Sequence, residues 1–197
     1  MLDVARRLFA ERGYAETTME TIATEAGVAV PTLYASFKSK RGLLARLLGR
    51  LVVGEPRAAS ILETASARAV FAETDPRRAL TLFASHMAEI QERIAIIYEV
   101  MRGASRTEPD VAEAFAAAQR TRLAMLTKVA AHLARLGGLR VGLTVEEAGR
   151  TIWVLASPET RHLLVSHGGH APERYRAWLA DTLAAAVAAQ PPAPKSR

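Results

Sequence analysis

The sequence predicts an all-α protein, and three observations carry that prediction. Ala and Leu dominate while aromatic residues make up only 6%, a composition that favours helices over strands. Apolar residues recur every three to four positions, most clearly in Leu80, Phe83, Met87, Ile90, Ile94, Ile97, Tyr98 and Met101. No segment alternates as a strand would, and no repeat of fixed period is present. With 197 residues, 50% of them hydrophobic, the chain has material for a small domain fused to a larger one.

The elements follow from local punctuation. A first helix runs from about Leu2 to Arg12, with Leu2, Ala5, Leu8 and Phe9 on one face and Gly13 as its stop. It is expected to start abruptly, without a leading arm. Thr17 with Glu20 reads as a capping box for a second helix that turns Met19, Ile22, Ala23 and Ala26 inward. Gly27 supplies a turn, and a third helix covers about Val30 to Phe37. Ser39 caps a fourth, whose Leu43, Leu44, Leu47, Leu48 and Leu51 form a stripe. Gly54-Glu55-Pro56 ends it, so the predicted domains are 1–53, 54–189 and a proline-rich disordered tail, 190–197.

Beyond the boundary, a helix is expected from about Arg57 to Glu73. Asp75-Pro76 caps and opens the next one, which ends near Gly103. Another runs from about Thr107 to Leu136, before Gly137-Gly138. Thr144 and Glu147 form a capping box for a helix that Ser157-Pro158 restarts or kinks and that reaches about His167. Gly168-Gly169 breaks the chain, and Pro172 opens a last helix to about Ala189.

Composition excludes several function classes. The absence of cysteine removes disulfides, thiolate metal sites and cysteine nucleophiles. No apolar run approaches the ~18 residues of a membrane span, and the start lacks the pattern of a secretory signal. A net charge of +6 suits a polyanionic partner. No Ser/His/Asp order, phosphate-cradling glycine loop or paired metal motif is present, which argues against an enzyme. No cofactor is expected.

Residues 17–40 carry the most specific signal. Two short helices meet at Ala23, small enough to let them approach, and Gly27 follows four residues later at the turn. Ile22, Val28 and Leu33 can lock the pair, which leaves the short side chains Val30, Pro31 and Thr32 to enter a major groove. Val30 suits a thymine methyl, and Thr32 a base or a phosphate. Thr17, Thr18, Tyr34, Ser36, Lys38 and Lys40 are the expected backbone contacts. None of these is a bidentate base reader, so the spacing points to double-stranded DNA without spelling a site.

The stretch resembles the TetR family of bacterial transcriptional regulators. The resemblance runs through Ala5-Arg-Arg-Leu-Phe-Ala-Glu-Arg-Gly-Tyr14, Thr17-Thr18, Ile22-Ala23, Ala26-Gly27-Val28, Thr32-Leu33-Tyr34, Phe37 and Ser39-Lys40. It departs from the family's usual pattern at Glu20, where a basic or polar residue is common, and at Ala29, often serine. The resemblance implies a cytoplasmic bacterial homodimer that binds a palindromic operator, most often as a repressor, with a small, largely apolar effector in the C-terminal domain. It places the dimer interface on the last two helices, here at Leu163, Leu164, Tyr175, Trp178, Leu179 and Leu183.

An effector site between helices would be lined by core positions. The candidates are Met87, Ile90, Ile94, Tyr98 and Met101 on one helix, Phe115, Gln119 and Arg122 on the next, and Trp153. A buried Arg122 would want an anion such as a ligand carboxylate, whereas an Arg122 that snorkels to the surface would need none. His162, His167 and His170 cluster near Glu159, but their spacings of five and three cross a helix end, so no metal site is expected. A helical scaffold without DNA binding is the remaining alternative. Replacing Tyr34 and Lys40 would leave such a scaffold unaffected.

Overall fold

A computed structural model describes residues 1–189 of the chain, and the expected tail, 190–197, lies outside the described residues. Among the described residues the regular elements are helical, with one isolated antiparallel bridge between Leu139 and Ala188. In order they are α1 (Leu2–Arg12), α2 (Met19–Glu25), α3 (Val30–Phe37), α4 (Lys40–Val53), a 3₁₀ turn (Ile61–Glu63), α5 (Ala65–Ala72), α6 (Pro76–Ala104), α7 (Pro109–Arg135), α8 (Val145–Leu155), α9 (Pro158–Arg161), a π-helical turn (His162–His167) and α10 (Pro172–Val187). No helix among them is long and apolar enough to cross a membrane. The chain divides into two compact units, one of Met1–Arg57 with Ile90–Arg120, the other of Ala58–Glu89 with the chain from Thr121 onward.

In the first unit, Ala5, Leu8 and Phe9 of α1, Ile22 and Ala23 of α2, Leu33 of α3 and Leu43 and Leu44 of α4 are wholly buried. The corner between α2 and α3 is built from backbone hydrogen bonds. Val28 N–H donates to Ala23 O (3.0 Å) and Gly27 N–H to Thr24 O (3.2 Å), the paired pattern that closes a helix when the residue after its cap is left-handed. Gly27 takes that conformation, at φ +65°. The far end of α4 is capped from α6, where Arg93 Nε donates to Leu51 O (3.1 Å) and an Arg93 terminal nitrogen to Val52 O (3.3 Å). These are carbonyls that a helix C-terminus leaves without intrahelical donors.

The expected capping box at Thr17 and Glu20 is displaced by one residue. Thr18 is the N-cap of α2, its hydroxyl accepting from Thr21 N–H (3.0 Å). Thr17 is fully buried, and its hydroxyl donates to Gly13 O (2.7 Å) with Leu8 O also near (3.2 Å). A buried hydroxyl needs a partner in the fold, and Thr17 finds one at the end of α1.

The second unit departs from the sequence reading in one element. The helix expected over 57–73 is reduced to the 3₁₀ turn and the short α5. Thr64 is the reason. It is buried in an extended conformation, its hydroxyl donates to Ile61 O (2.7 Å), and it accepts from Ala67 N–H (3.2 Å), so it starts a new helix. Farther on, Ser157 caps α9 by accepting from Thr160 N–H (3.0 Å), which gives Ser157-Pro158 a restart. The core of this unit includes Leu80, Leu133, Ala148, Ile152, Tyr175, Leu179, Leu183 and Val187.

That core corrects part of the expected dimer surface. Tyr175, Leu179 and Leu183 are fully buried within the single chain. They lie at the four-residue spacing that keeps one helix face inward, and that face is taken by the chain's own core. Leu163 stands 63% exposed, and Leu164 and Trp178 are half-buried.

Candidate nucleic-acid interface

The first unit presents α3 as a platform. Leu33 anchors it from below, with none of its surface exposed. Pro31, Thr32, Tyr34 and Ser36 stand outward, and Val30 is half-buried at the helix start. Ala29 caps α3 in the extended conformation without a side-chain bond; Pro31 has no N–H, and Thr32 N–H already donates to Ala29 O (2.9 Å). Thr18 caps the neighbouring α2 and is exposed.

The expected phosphate donors fare differently. Thr17 is withdrawn, because both its burial and its hydrogen bonds commit it to the fold. Ser36 donates to Thr32 O (3.0 Å), so its hydroxyl hydrogen is held within α3. Lys40 is half-buried, with Nζ 2.8 Å from Tyr14 O and 4.2 Å above the Tyr14 ring. It braces α4 against the loop after α1. Burial, together with the nearby carboxylates Asp110 and Glu108, raises the Tyr14 phenol to about 12, so this cation–π partner stays neutral. Arg7 and Arg12 both engage Glu25 and tie α1 to α2.

Lys38 is exposed and ends α3 at φ +66°, ψ −37°. For a residue with a Cβ this conformation is strained. K38G is expected to raise the unfolding free energy by about 1 kcal/mol. The same change is expected to weaken DNA binding about fivefold, equivalent to ~1 kcal/mol. Urea midpoints and gel-shift titration of one preparation read both effects. A variant neither more stable nor weaker on DNA would show that the strain serves nothing at this surface.

Glu20, no longer part of a capping box, is an exposed carboxylate in the first turn of α2. It favours the helix end but repels a polyanion. E20Q is therefore expected to tighten DNA binding roughly two- to fivefold and to cost about 0.5 kcal/mol of stability. Unchanged or weaker binding would place Glu20 away from the DNA.

The nine residues expected to hold an effector do not form one set. Gln119 donates to the Tyr98 hydroxyl (3.0 Å), and Phe115 lies 5.5 Å from the Tyr98 ring, all within the first unit. Ile90, Ile94 and Met101 are buried there as core. In the second unit Arg122 donates to Ala156 O (3.2 Å) and lies 5.0 Å from the Trp153 ring. The Ala156 carbonyl, just past the end of α8, thus partners a half-buried Arg122.

Two adjoining cavities do exist in the second unit. One of about 330 Å³ is lined by Leu62, Phe71, Lys128, Ala131 and Arg135. A smaller one of about 50 Å³ shares Leu62 and Phe71 and is walled by Ile61, Val70, Phe83, Met87, Leu126 and Val129, among others. Among the described residues, Met87 is the one expected effector contact that lines either cavity.

Comparison with known proteins agrees with this architecture. Residues 1–47 match the family described as bacterial regulatory proteins, tetR family. No curated protein sequence matches. A TetR transcription regulator from Haloarcula marismortui superposes with a TM-score of 0.66 at 20% identity, over 95% of each chain. The transcriptional regulator FadR from Bacillus subtilis, solved with stearoyl-CoA, gives 0.71 at 21%, over 93% of this chain and 94% of that one. The SmeT–triclosan complex gives 0.71 at 22%, over 95% and 89%. At these identities the likeness is one of fold. The N-terminal match gives residues 1–47 the DNA-binding module of the tetR family, and the superpositions show that the chain as a whole shares the all-helical fold of these regulators.

Proposed function

We propose that the chain is a repressor that binds a palindromic operator as a homodimer and is released by a small, largely apolar effector. The observation that carries this reading is the outward face of α3, where Pro31, Thr32 and Tyr34 stand exposed on a helix pinned by the buried Leu33. The apolar cavities of the second unit support an effector site, and so do the stearoyl-CoA and triclosan bound by proteins of similar fold. Lys128 and Arg135 at the larger cavity would favour an effector that also carries negative charge. Exposed Leu163 and Val154 supply apolar surface for a partner subunit. The site of action is the bacterial cytoplasm. Moving an operator from nearly full to nearly empty requires the effector to favour one state by ~5.5 kcal/mol.

Selection from random DNA by the purified full chain, with sedimentation of the product, tests the reading. The expected product is a palindrome whose half-sites lie about 34–36 Å apart, or a multiple of that spacing, bound by a dimer. A monomer on DNA, or enrichment of no sequence, would sink it.

A further inference from the structure

We infer that His162 and His167 form a bidentate site for a divalent ion that favours imidazole, zinc foremost, and that the site exists only while residues 162–167 keep their π-helical backbone. On an α-helix, residues five apart lie about 140° away from each other around the axis, so this spacing argues against a metal pair. The backbone here is not α-helical. His162–His167 is π-helical, and Gly168 N–H donates to Leu163 O, five residues back, at 2.8 Å. A π-helix holds about 4.4 residues per turn, so residues five apart lie only about 50° from each other around the axis, and the two histidines share one face.

The imidazoles meet as that geometry requires. Their Nε2 atoms are 3.1 Å apart, with ring centroids 4.7 Å apart and ring planes at 88°. Two nitrogens each ~2.0–2.1 Å from zinc, at an angle between about 90° and 110°, lie roughly 2.9–3.4 Å apart. The observed separation falls inside that range, so ring rotation alone brings both lone pairs to one ion. His162 is half-buried and His167 exposed, which leaves the outer positions open to water. Among the described residues no three His, Asp or Glu side chains gather as ligands, so the chain supplies two. Paired imidazoles select zinc, copper or nickel over magnesium or calcium.

The backbone links binding to conformation. π-Helical turns are uncommon and recur at functional sites. If 162–167 relaxes to α-helix, His167 swings away from His162 and the chelate is lost. An ion that binds one register must stabilise it. The ion therefore staples the segment that carries exposed Leu163. This inference rests on the second unit alone and is independent of the DNA-binding reading.

Calorimetry of the full chain with zinc chloride in chelator-free buffer tests it. One zinc per chain is expected, with no response to magnesium. H162Q and H167Q should each weaken binding at least ~100-fold, beyond the ~10–100-fold typical of residues that only orient ligands. H170Q should change little. Hydrogen exchange at the Gly168 amide should slow with zinc in the wild type and not in H167Q. Zinc uptake no tighter than that of the H162Q/H167Q double variant would overturn the assignment. So would loss of binding in H170Q, or a Gly168 amide indifferent to bound zinc.

Discussion

The triple variant P31A/T32A/Y34A is expected to bind its operator no better than random DNA. Specific sites are typically bound ~10³-fold or more tighter than non-specific ones, and that margin is what should vanish. The three side chains face outward from α3, with Tyr34 43% exposed. The wholly buried Leu33 holds the helix in place without them. Thermal stability should therefore change by no more than ~0.5 kcal/mol. Competition binding, with selected operator against random duplex, reads the ratio directly. A variant that keeps its preference would move sequence reading off α3. A variant that unfolds would show that the outward face was packing after all.

The second large effect is a sign reversal between two glycines of α4. Gly→Ala on an exposed helix surface stabilises by ~1 kcal/mol through backbone entropy and propensity. Gly49 fits that case, because a Cβ built there meets nothing within 4 Å. G49A is expected to gain about that amount. A Cβ at Gly42 would lie 2.2 Å from the Phe37 carbonyl oxygen. That atom is backbone, so no rotamer change relieves the clash. Gly42 N–H also donates to the Ser39 cap (3.0 Å), which fixes the α4 start against the end of α3. G42A is expected to cost about 3 kcal/mol or more, and to displace α3 enough to abolish operator binding. Urea unfolding of both variants is decisive. Two glycines that respond alike would mean that the α3–α4 corner is not closely packed.

The N-terminal module was largely legible in sequence because its signals are local. Caps, the turn glycine and small residues at helix crossings act within a few positions, and α1, α3 and α4 fall where those signals put them. What failed was competition between neighbours of equal propensity. Thr17 and Thr18 both suit an N-cap, and the choice is made by the carbonyl of Gly13, which takes the Thr17 hydroxyl. Thr64 broke a predicted helix because its two hydrogen bonds form only once it is buried. Tyr175, Leu179 and Leu183 show a different limit. Periodicity reports that a helix face is apolar, but not whether the chain or a second copy covers it. The cavities were unreadable for a related reason, since Leu62 and Phe71 come together with Lys128 and Arg135 across elements far apart in sequence. The spacing argument applied to His162 and His167 assumed a 3.6-residue period, which does not hold where they lie.

The way α1 and α4 use their own cations has a consequence for how tightly this module can grip a polyanion. Binding to duplex DNA releases condensed counterions, and log K falls with log salt at about 0.9 per phosphate neutralised. A net charge of +6 would suggest a steep slope. Yet Arg7 and Arg12 are held by Glu25, and Lys40 is folded onto Tyr14. Each displaces fewer ions from the duplex than a free side chain would. The module should trade electrostatic strength for tolerance, with operator binding that declines gently as ionic strength rises.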